Sequence, residues 1–572
     1  MIERDKDIRT KIIVVAVGLS GLLILARLFQ LQVVNGSYSR DLAGSQYSAS
    51  RLYGMYNRGS IYLEDRAGRR VTVAGLGSGY TLAFNPKQIS NPEDVFESLS
   101  KYLPLLEKAD VIRKLGNKND PYEELARRLD EQSADKISSL KLPGTILVRE
   151  RWRYYPGESL AAQVLGFVGW NDKEFTGRYG IERSFENVLS RPPNNLYQNF
   201  FNQMLDGLHD EVLGANGSKS ADIVLTIDPN VQTLAESKAS TLNDEWRAKQ
   251  SGILILNPKT GEILAMALSP SFNPNKYNEV SDIAVYQNSF IEDVFEMGSI
   301  MKPIVLASAL DAGVINEETT YFDNGFVELN GKRIENFDGK GRGKVDMQEV
   351  LNQSLNTGAV FSALKLGAER FRNYMYKFGF EDKTNIDLPG EVSNLMANLE
   401  TNKEIEMATA SFGQGIALTP VSMARALGAL GNGGFLIKPK IIKRIEGNLG
   451  FAKETKVTEQ GRAISGKASE EITAMLVKVV DEALLHGKIK MEHYSIAAKT
   501  GTAQIASPDG GYYDNKFTHS FFGYFPAYDP KFLVFMFLRE PVGVKYASET
   551  LATPFHSIAE FLLNYYDIPP DR

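Results

Sequence analysis

No cysteine occurs among the 572 residues. Structural disulfides and thiolate-bound metals are therefore excluded. Histidine is nearly as scarce: His209, His486, His493, His519 and His556 are the whole set, and no two of them form H-E-x-x-H. A zinc hydrolase of that type is excluded with it. No G-x-S-x-G elbow appears, so the usual address of a Ser-His-Asp triad is missing. There is no internal repeat, no low-complexity stretch and no excess of basic residues; the net charge is −6, which offers nucleic acid no basic face. What is present is ordinary: 43% hydrophobic and 23% charged residues, with length enough for two or three domains.

Only one stretch is long and apolar. Ile12 to Ala26 carry no charge, and apolar character continues to Val34, diluted by Arg27, Gln30 and Gln32. Twenty-three residues of helix cross roughly 30 Å of hydrocarbon. Arg4, Lys6, Arg9 and Lys11 precede the run, which places the N-terminus in the cytoplasm and the bulk of the chain outside. No A-x-A-like site follows, so a membrane anchor fits better than a cleaved signal peptide. Arg27 can snorkel to the outer headgroups, or face a partner helix together with Gln30.

The rest divides in two. Residues 35–221 read as a non-catalytic module: a hairpin around Tyr62–Ala74, helical spacing over 92–106 and 121–140, a strand at 145–148, and an irregular linker over 191–221 rich in Pro, Asn, Gly and Ser. From Asp222 the chain restarts with a strand and a helix over about 230–249. Then come a hairpin (252–256 and 262–266), helices at 301–311, 346–366, 420–431 and 468–485, and strands at 519–525 and 532–538. Strands bracketing helices predict a layered α+β or α/β domain over 222–572.

Three patches in that second domain carry chemistry. In Ser299-Ile300-Met301-Lys302, an amine follows a hydroxyl by one helical turn on the same face. Serine needs an adjacent base, and lysine serves as one when burial or a neighbouring cation lowers its pKa. The spacing recurs at Ser98/Lys101, Ser133/Lys136, Ser138/Lys141 and Ser362/Lys365, but only Ser299 opens a helix that is mostly apolar. In Ser354-Leu355-Asn356, a hydroxyl and a carboxamide two residues apart can share a cleft; Ser271-Phe272-Asn273 is a second copy, read as a loop. In Lys499-Thr500-Gly501-Thr502, Lys499 and Gly501 alternate with Thr500 and Thr502 along a strand. That edge can bind a carboxylate, the glycine lets a ligand approach the backbone, and the Thr502 N–H is a candidate oxyanion donor. Lys259-Thr260-Gly261 is a decoy in a hairpin turn. Ser354 follows Ser299 by 55 residues, and Lys499 follows Ser354 by 145.

This ordered set resembles that of the class B penicillin-binding proteins. Arg58-Gly59-Ser60-Ile61-Tyr62 with Asp65-Arg66-Ala67-Gly68 is similar to the family's opening R-G-x-I-x-D-R-x-G, with Leu63 and Glu64 as two extra residues. Tyr155-Pro156-Gly157, Gly180-Ile181-Glu182, Pro258–Met266 and Phe412-Gly413-Gln414-Gly415 also resemble family motifs. The resemblance implies a cytoplasmic tail (1–11), a transmembrane anchor (12–34), an elongated dimerisation-type pedestal (35–221) and a transpeptidase domain (222–572). That last domain would be an antiparallel sheet flanked by helices, with an all-helical subdomain. It implies acylation of Ser299 by a D-Ala-D-Ala stem peptide or a β-lactam, then transfer to an amine. By it, Lys302 is the base, Ser354 relays a proton and Asn356 positions the donor. Lys499 supports the field, Thr500 and Thr502 engage the carboxylate, and the Ser299 and Thr502 N–H groups form the oxyanion hole. It implies no cofactor and no metal. The implied partners are the membrane, a membrane-embedded glycan polymerase and other cell wall proteins.

A glycosyltransferase module has no room between the anchor and Arg58, and a β-lactamase has no use for the pedestal. A D,D-carboxypeptidase shares the chemistry, with water as acceptor. A scaffold that docks wall-synthesis proteins has no need of Lys302 or Lys499. His519 reads as strand-edge packing rather than a catalytic group.

Overall fold

The computed structural model describes Gly21 and residues 58–171, 174–190, 221–401, 403–447 and 452–572. The expected anchor at 12–34, Gly21 apart, and the expected linker, apart from Ala221, lie outside these. Among the described residues no helix is long and apolar enough to cross a membrane. The described residues form two compact units: a smaller one over Gly77–Trp152, and a larger one of Gly59–Leu76, Arg153–Leu189 and the described chain from Ala221 onward.

In the smaller unit, helices Pro92–Ser100, Lys108–Gly116 and Glu131–Ser139 cover a core of Leu82, Phe84, Val95, Leu99, Val111, Leu115 and Ile137. Asn91 and Asp130 start the first and third by accepting from the N–H groups of Glu93 and Ser133. The helix expected over 121–140 is only half present. Glu123–Leu129 is instead a strand paired antiparallel with Tyr80–Phe84, and the helix begins after Asp130. Helix propensity there loses to a ladder partner some 40 residues upstream.

The larger unit is built on a five-stranded antiparallel sheet. Its strands are β1 (Gln250–Leu256), β2 (Ile263–Ser269), β3 (Ala497–Ala506), β4 (Tyr512–Phe525) and β5 (Phe532–Arg539), in spatial order β3-β4-β5-β1-β2. Phe532 to Leu538 are all buried, because both faces of the sheet are covered. The helices are α1 (Pro229–Glu245), α2 (Lys302–Asp311), α3 (Asn356–Leu366), α4 (Pro420–Gly431), α5 (Gly466–Lys478) and α6 (Ala547–Tyr565). Alternation along β4 separates the layers. Phe521 and Phe525 set their rings against Phe555 of α6, while the Tyr524 hydroxyl meets Thr473 of α5 at 2.8 Å. α1 and α6 therefore form one layer; α4 and α5 form the other, with α2 packed on them.

A second sheet in the larger unit joins the early chain to the late chain. Ile61–Glu64 pairs antiparallel with Arg70–Ala74 and parallel with Ile223–Val224, and Asp222–Leu225 pairs with Ile442–Glu446. The two extra residues have structural work here. Leu63 is fully buried, and Glu64 accepts from Lys443 and Arg444, each at 2.5 Å. Arg153 and Glu182 form a buried ion pair at 2.6 Å, and Arg153 also donates to the Gly59 carbonyl at 2.7 Å.

Candidate active site

Ser299 lies in a 3-10 turn, Gly298–Met301, that runs straight into α2. Gly298 makes the turn possible. Its φ is +62°, and a Cβ there would stand 2.7 Å from the Thr502 carbonyl oxygen. From Lys302 to Leu310, α2 is buried on every side. A helix without a polar face carries any charged residue it contains into the interior. Lys302 is the residue so carried, and it is 0% exposed.

Ser354 sits where one helix stops and another starts. Met347–Asn352 ends, Ser354 turns to a φ of +54°, and α3 begins at Asn356. The left-handed turn costs a serine free energy, and the contacts around it hold it. Lys302 Nζ donates to the Ser354 carbonyl at 2.5 Å and reaches its Oγ at 3.2 Å. Lys499 Nζ, from edge strand β3, donates to the same Oγ at 3.0 Å and to the Thr500 carbonyl at 3.2 Å. Two amines thus share one hydroxyl, and no carboxylate binds either among the described residues. Burial, then the charge of Lys499, holds the Lys302 amine well below the ordinary lysine range. Burial alone brings Lys499 down to about 8. Ser299 is partly exposed, and its Oγ makes no hydrogen bond to Lys302 in this state, whose donors are turned to Ser354.

Along β3, Lys499, Gly501 and Ala503 are buried, whereas Thr500, Thr502 and Gln504 are partly exposed and line a cavity of about 540 Å³. Ser354, Asn356, Arg342, Phe337 and Tyr546 line it too. Asn356 Nδ2 donates to the Glu335 carbonyl at 2.8 Å, which leaves its Oδ1 as a spare acceptor. Gly501 corrects an expectation. A Cβ there would stand 2.3 Å from Ser520 Oγ and 2.7 Å from the Met297 carbonyl oxygen, so the missing side chain admits the turn that carries Ser299, not a ligand. Ser520 Oγ completes the contact by donating to that carbonyl at 2.8 Å.

Sequence reasoning missed the support beneath Asn356. Asp323, 1% exposed, accepts from Thr357 Oγ1 at 2.8 Å and from Asn336 Nδ2 at 3.0 Å. It thereby ties the start of α3 to the hairpin Phe326–Glu335. The turn residues Asp323-Asn324-Gly325 signal a hairpin, but nothing local connects them to Thr357. His519 is fully buried between Thr550 Oγ1 and the Lys545 carbonyl, each at 3.0 Å, and burial lowers it to about 4. The other copies of the motifs stand apart. Ser362 Oγ donates within α3 to the Gly358 carbonyl, Asn273 caps a 3-10 turn, and Lys259 pairs with Asp529.

Known proteins share these features. Residues 251–560 match the penicillin-binding protein transpeptidase domain, and 56–191 match the penicillin-binding protein dimerisation domain. Stage V sporulation protein D of Bacillus subtilis is 31% identical over 93% of this chain and 82% of its own length. Peptidoglycan D,D-transpeptidase FtsI of Escherichia coli K12 is 28% identical over 96% of this chain and 90% of its own. In fold, the crystal structure of penicillin-binding protein 2X from Streptococcus thermophilus superposes with a TM-score of 0.73 at 21% identity, covering 90% of this chain and 80% of that one. The chain belongs to the class B penicillin-binding proteins, the serine D,D-transpeptidases that cross-link peptidoglycan.

Proposed function

We propose that Ser299 is the residue acylated and that Lys302 is its base. The observation that carries this reading is the pair of buried amines converging on Ser354 Oγ with no carboxylate among the described residues to neutralise them. Two ammonium groups so placed repel each other, so one amine is held neutral and can take a proton. The peptide's terminal carboxylate binds to the Thr500 and Thr502 hydroxyls in the field of Lys499, and Asn356 Oδ1 accepts from a donor amide N–H. Ser299 Oγ attacks the carbonyl between the two D-Ala residues, and its proton passes to Lys302. The oxyanion forms against the N–H groups of Ser299 and Thr502. As the C–N bond breaks, Ser354 relays that proton to the departing D-Ala amine. An acceptor amine then attacks the ester, the C–O bond breaks, and the amine's proton returns to Ser299 Oγ. A β-lactam follows the first half and stops at the ester.

The Ser299–Lys302 contact is made when substrate draws Lys302 off the Ser354 carbonyl, since catalytic hydrogen bonds tighten in the complex. The same reading takes residues 1–11 as a cytoplasmic tail, 12–34 as a single membrane span and 35–221 as an elongated pedestal outside the cell. Residues 222–572 are the catalytic domain, with the helices around α3 as its helical subdomain. A membrane-embedded glycan polymerase and other wall-synthesis proteins are the partners. Fluorescent penicillin tests the nucleophile. The wild type takes up label and Ser299→Ala takes up none; label that persists in the variant moves the nucleophile elsewhere.

A further inference from the structure

Thr502 and His519 are register partners across β3 and β4. Partners in an antiparallel ladder point the same way, and His519 shares its face of β4 with Phe521 and Phe525, which pack on α6. Both side chains therefore meet the start of α6. The first N–H groups of a helix have no acceptor within it, and Tyr546 supplies no side-chain cap here. The Ala547 N–H finds its acceptor on another element: it donates to Thr502 Oγ1 at 3.1 Å. A hydroxyl has two lone pairs and one hydrogen. With a lone pair held by Ala547, the Thr502 hydrogen is turned away from the helix, and Thr502 lines the catalytic cavity.

His519 fixes where that N–H stands. It is fully buried and does not line the catalytic cavity. A carbonyl only accepts, so the contact of Nε2 with the Lys545 carbonyl at 3.0 Å places a ring hydrogen on Nε2. Burial keeps the ring neutral at physiological pH, so Nδ1 is an acceptor, and the Thr550 hydroxyl donates to it at 3.0 Å. The ring thus grips the chain two residues before Ala547 and three residues after it. Resting on the carboxylate-binding role given to Thr502 above, we propose that His519 is a positioning residue for the reaction: through Lys545 and Thr550 it sets the Ala547 N–H, and that N–H commits the Thr502 hydroxyl to donate into the cavity. Without the grip the hydroxyl turns to other orientations, and a carboxylate loses part of a charge-assisted hydrogen bond.

Two thiolester donors on the full chain test this: an acyl-D-alanyl-mercaptoacetate, whose leaving group carries the carboxylate, and its methyl ester. Ser299 Oγ attacks the thiolester carbonyl, the C–S bond breaks, and the thiol leaves with the serine's proton. The chain has no cysteine, so a thiol reagent counts only that product. The readout is the ratio of the two acylation rate constants, free acid over methyl ester, compared between variants so that intrinsic reactivity cancels. Thr502→Val removes the hydroxyl and should lower the ratio by about tenfold. His519→Asn keeps an acceptor near Nδ1 but cannot reach the Lys545 carbonyl, and should lower the ratio by a similar factor. His519→Gln places an amide N–H near Nε2 and should stay within about twofold of wild type. In the Thr502→Val background, His519→Asn should change the ratio no further, because its effect runs through that hydroxyl. A merely structural His519 slows both donors alike and leaves the ratio at wild type, which overturns the proposal. Equal falls in His519→Gln and His519→Asn overturn it too, as does an undiminished effect of His519→Asn in the Thr502→Val background. A ratio that Thr502→Val itself leaves unmoved defeats the carboxylate reading instead, and the positioning role with it.

Discussion

Lys302 and Lys499 are each placed where an ammonium is expensive. Both are almost wholly buried, and neither has a counter-ion among the described residues. The sign of the consequence for stability follows directly. Lys499 titrates at about 8 when folded, against roughly 10.4 for a free lysine. Between those values the unfolded chain holds a proton that the folded chain lacks, so stability rises with pH across that window. Below about 8 both states are protonated and the full penalty is present. Denaturant unfolding from pH 7 to 11 should therefore show the wild type gaining stability relative to Lys499→Met between pH 8 and 10.4. Parallel curves would mean that the amine is not held down by burial. At this scale the sequence was informative: an apolar helix with one lysine predicts a buried lysine. The role of Gly501 was not legible, because the carbonyl that fills its missing side chain belongs to Met297, about 200 residues upstream.

Two backbone irregularities bring the patches together. The turn at Gly298 lets the start of α2 press against β3, and the left-handed Ser354 breaks one helix into two. The apolar spacing over 346–366 reads as one continuous helix, and only the S-x-N motif marks a break within it. Gly501→Ala tests the first contact. Its Cβ would overlap Ser520 Oγ and the Met297 carbonyl, both of which are fixed. The variant should lose about 1–3 kcal/mol of stability, as overpacked sites do, and its penicillin acylation should slow because the turn bearing Ser299 is displaced. Thermal unfolding and label uptake check the two parts; an unchanged variant would show that β3 and the turn can separate. The Asp323 cluster under α3 was invisible in the sequence, since its members lie on a strand, a loop and a helix up to 34 residues apart.

The two family domains match separate stretches, 56–191 and 251–560, while the larger compact unit takes Gly59–Leu76 and Arg153–Leu189 together with the late chain, a division that no linear reading of the sequence shows. Of the short strands that join the early and late chain, the hairpin near Tyr62–Ala74 and the strand at Asp222 were legible, but Ile442–Glu446 and the pairing between them were missed. Ile442–Glu446 looks mixed and charged in sequence because Arg444 serves Glu64 rather than solvent. The anchor rests on the apolar run alone, and fractionation tests it. The full chain should stay with membranes through alkaline extraction, and deletion of 12–34 should release it; release of the full chain would remove the anchor from the account.

The account as a whole depends on a lysine that is neutral near physiological pH beside Ser299. The pH dependence of penicillin acylation measures that property most directly. Acylation should rise through an apparent pKa well below 10.4 and then level off. A rate that climbs only above pH 10 would mean an ordinary, protonated lysine, and would contradict the assignment of Lys302 as the base.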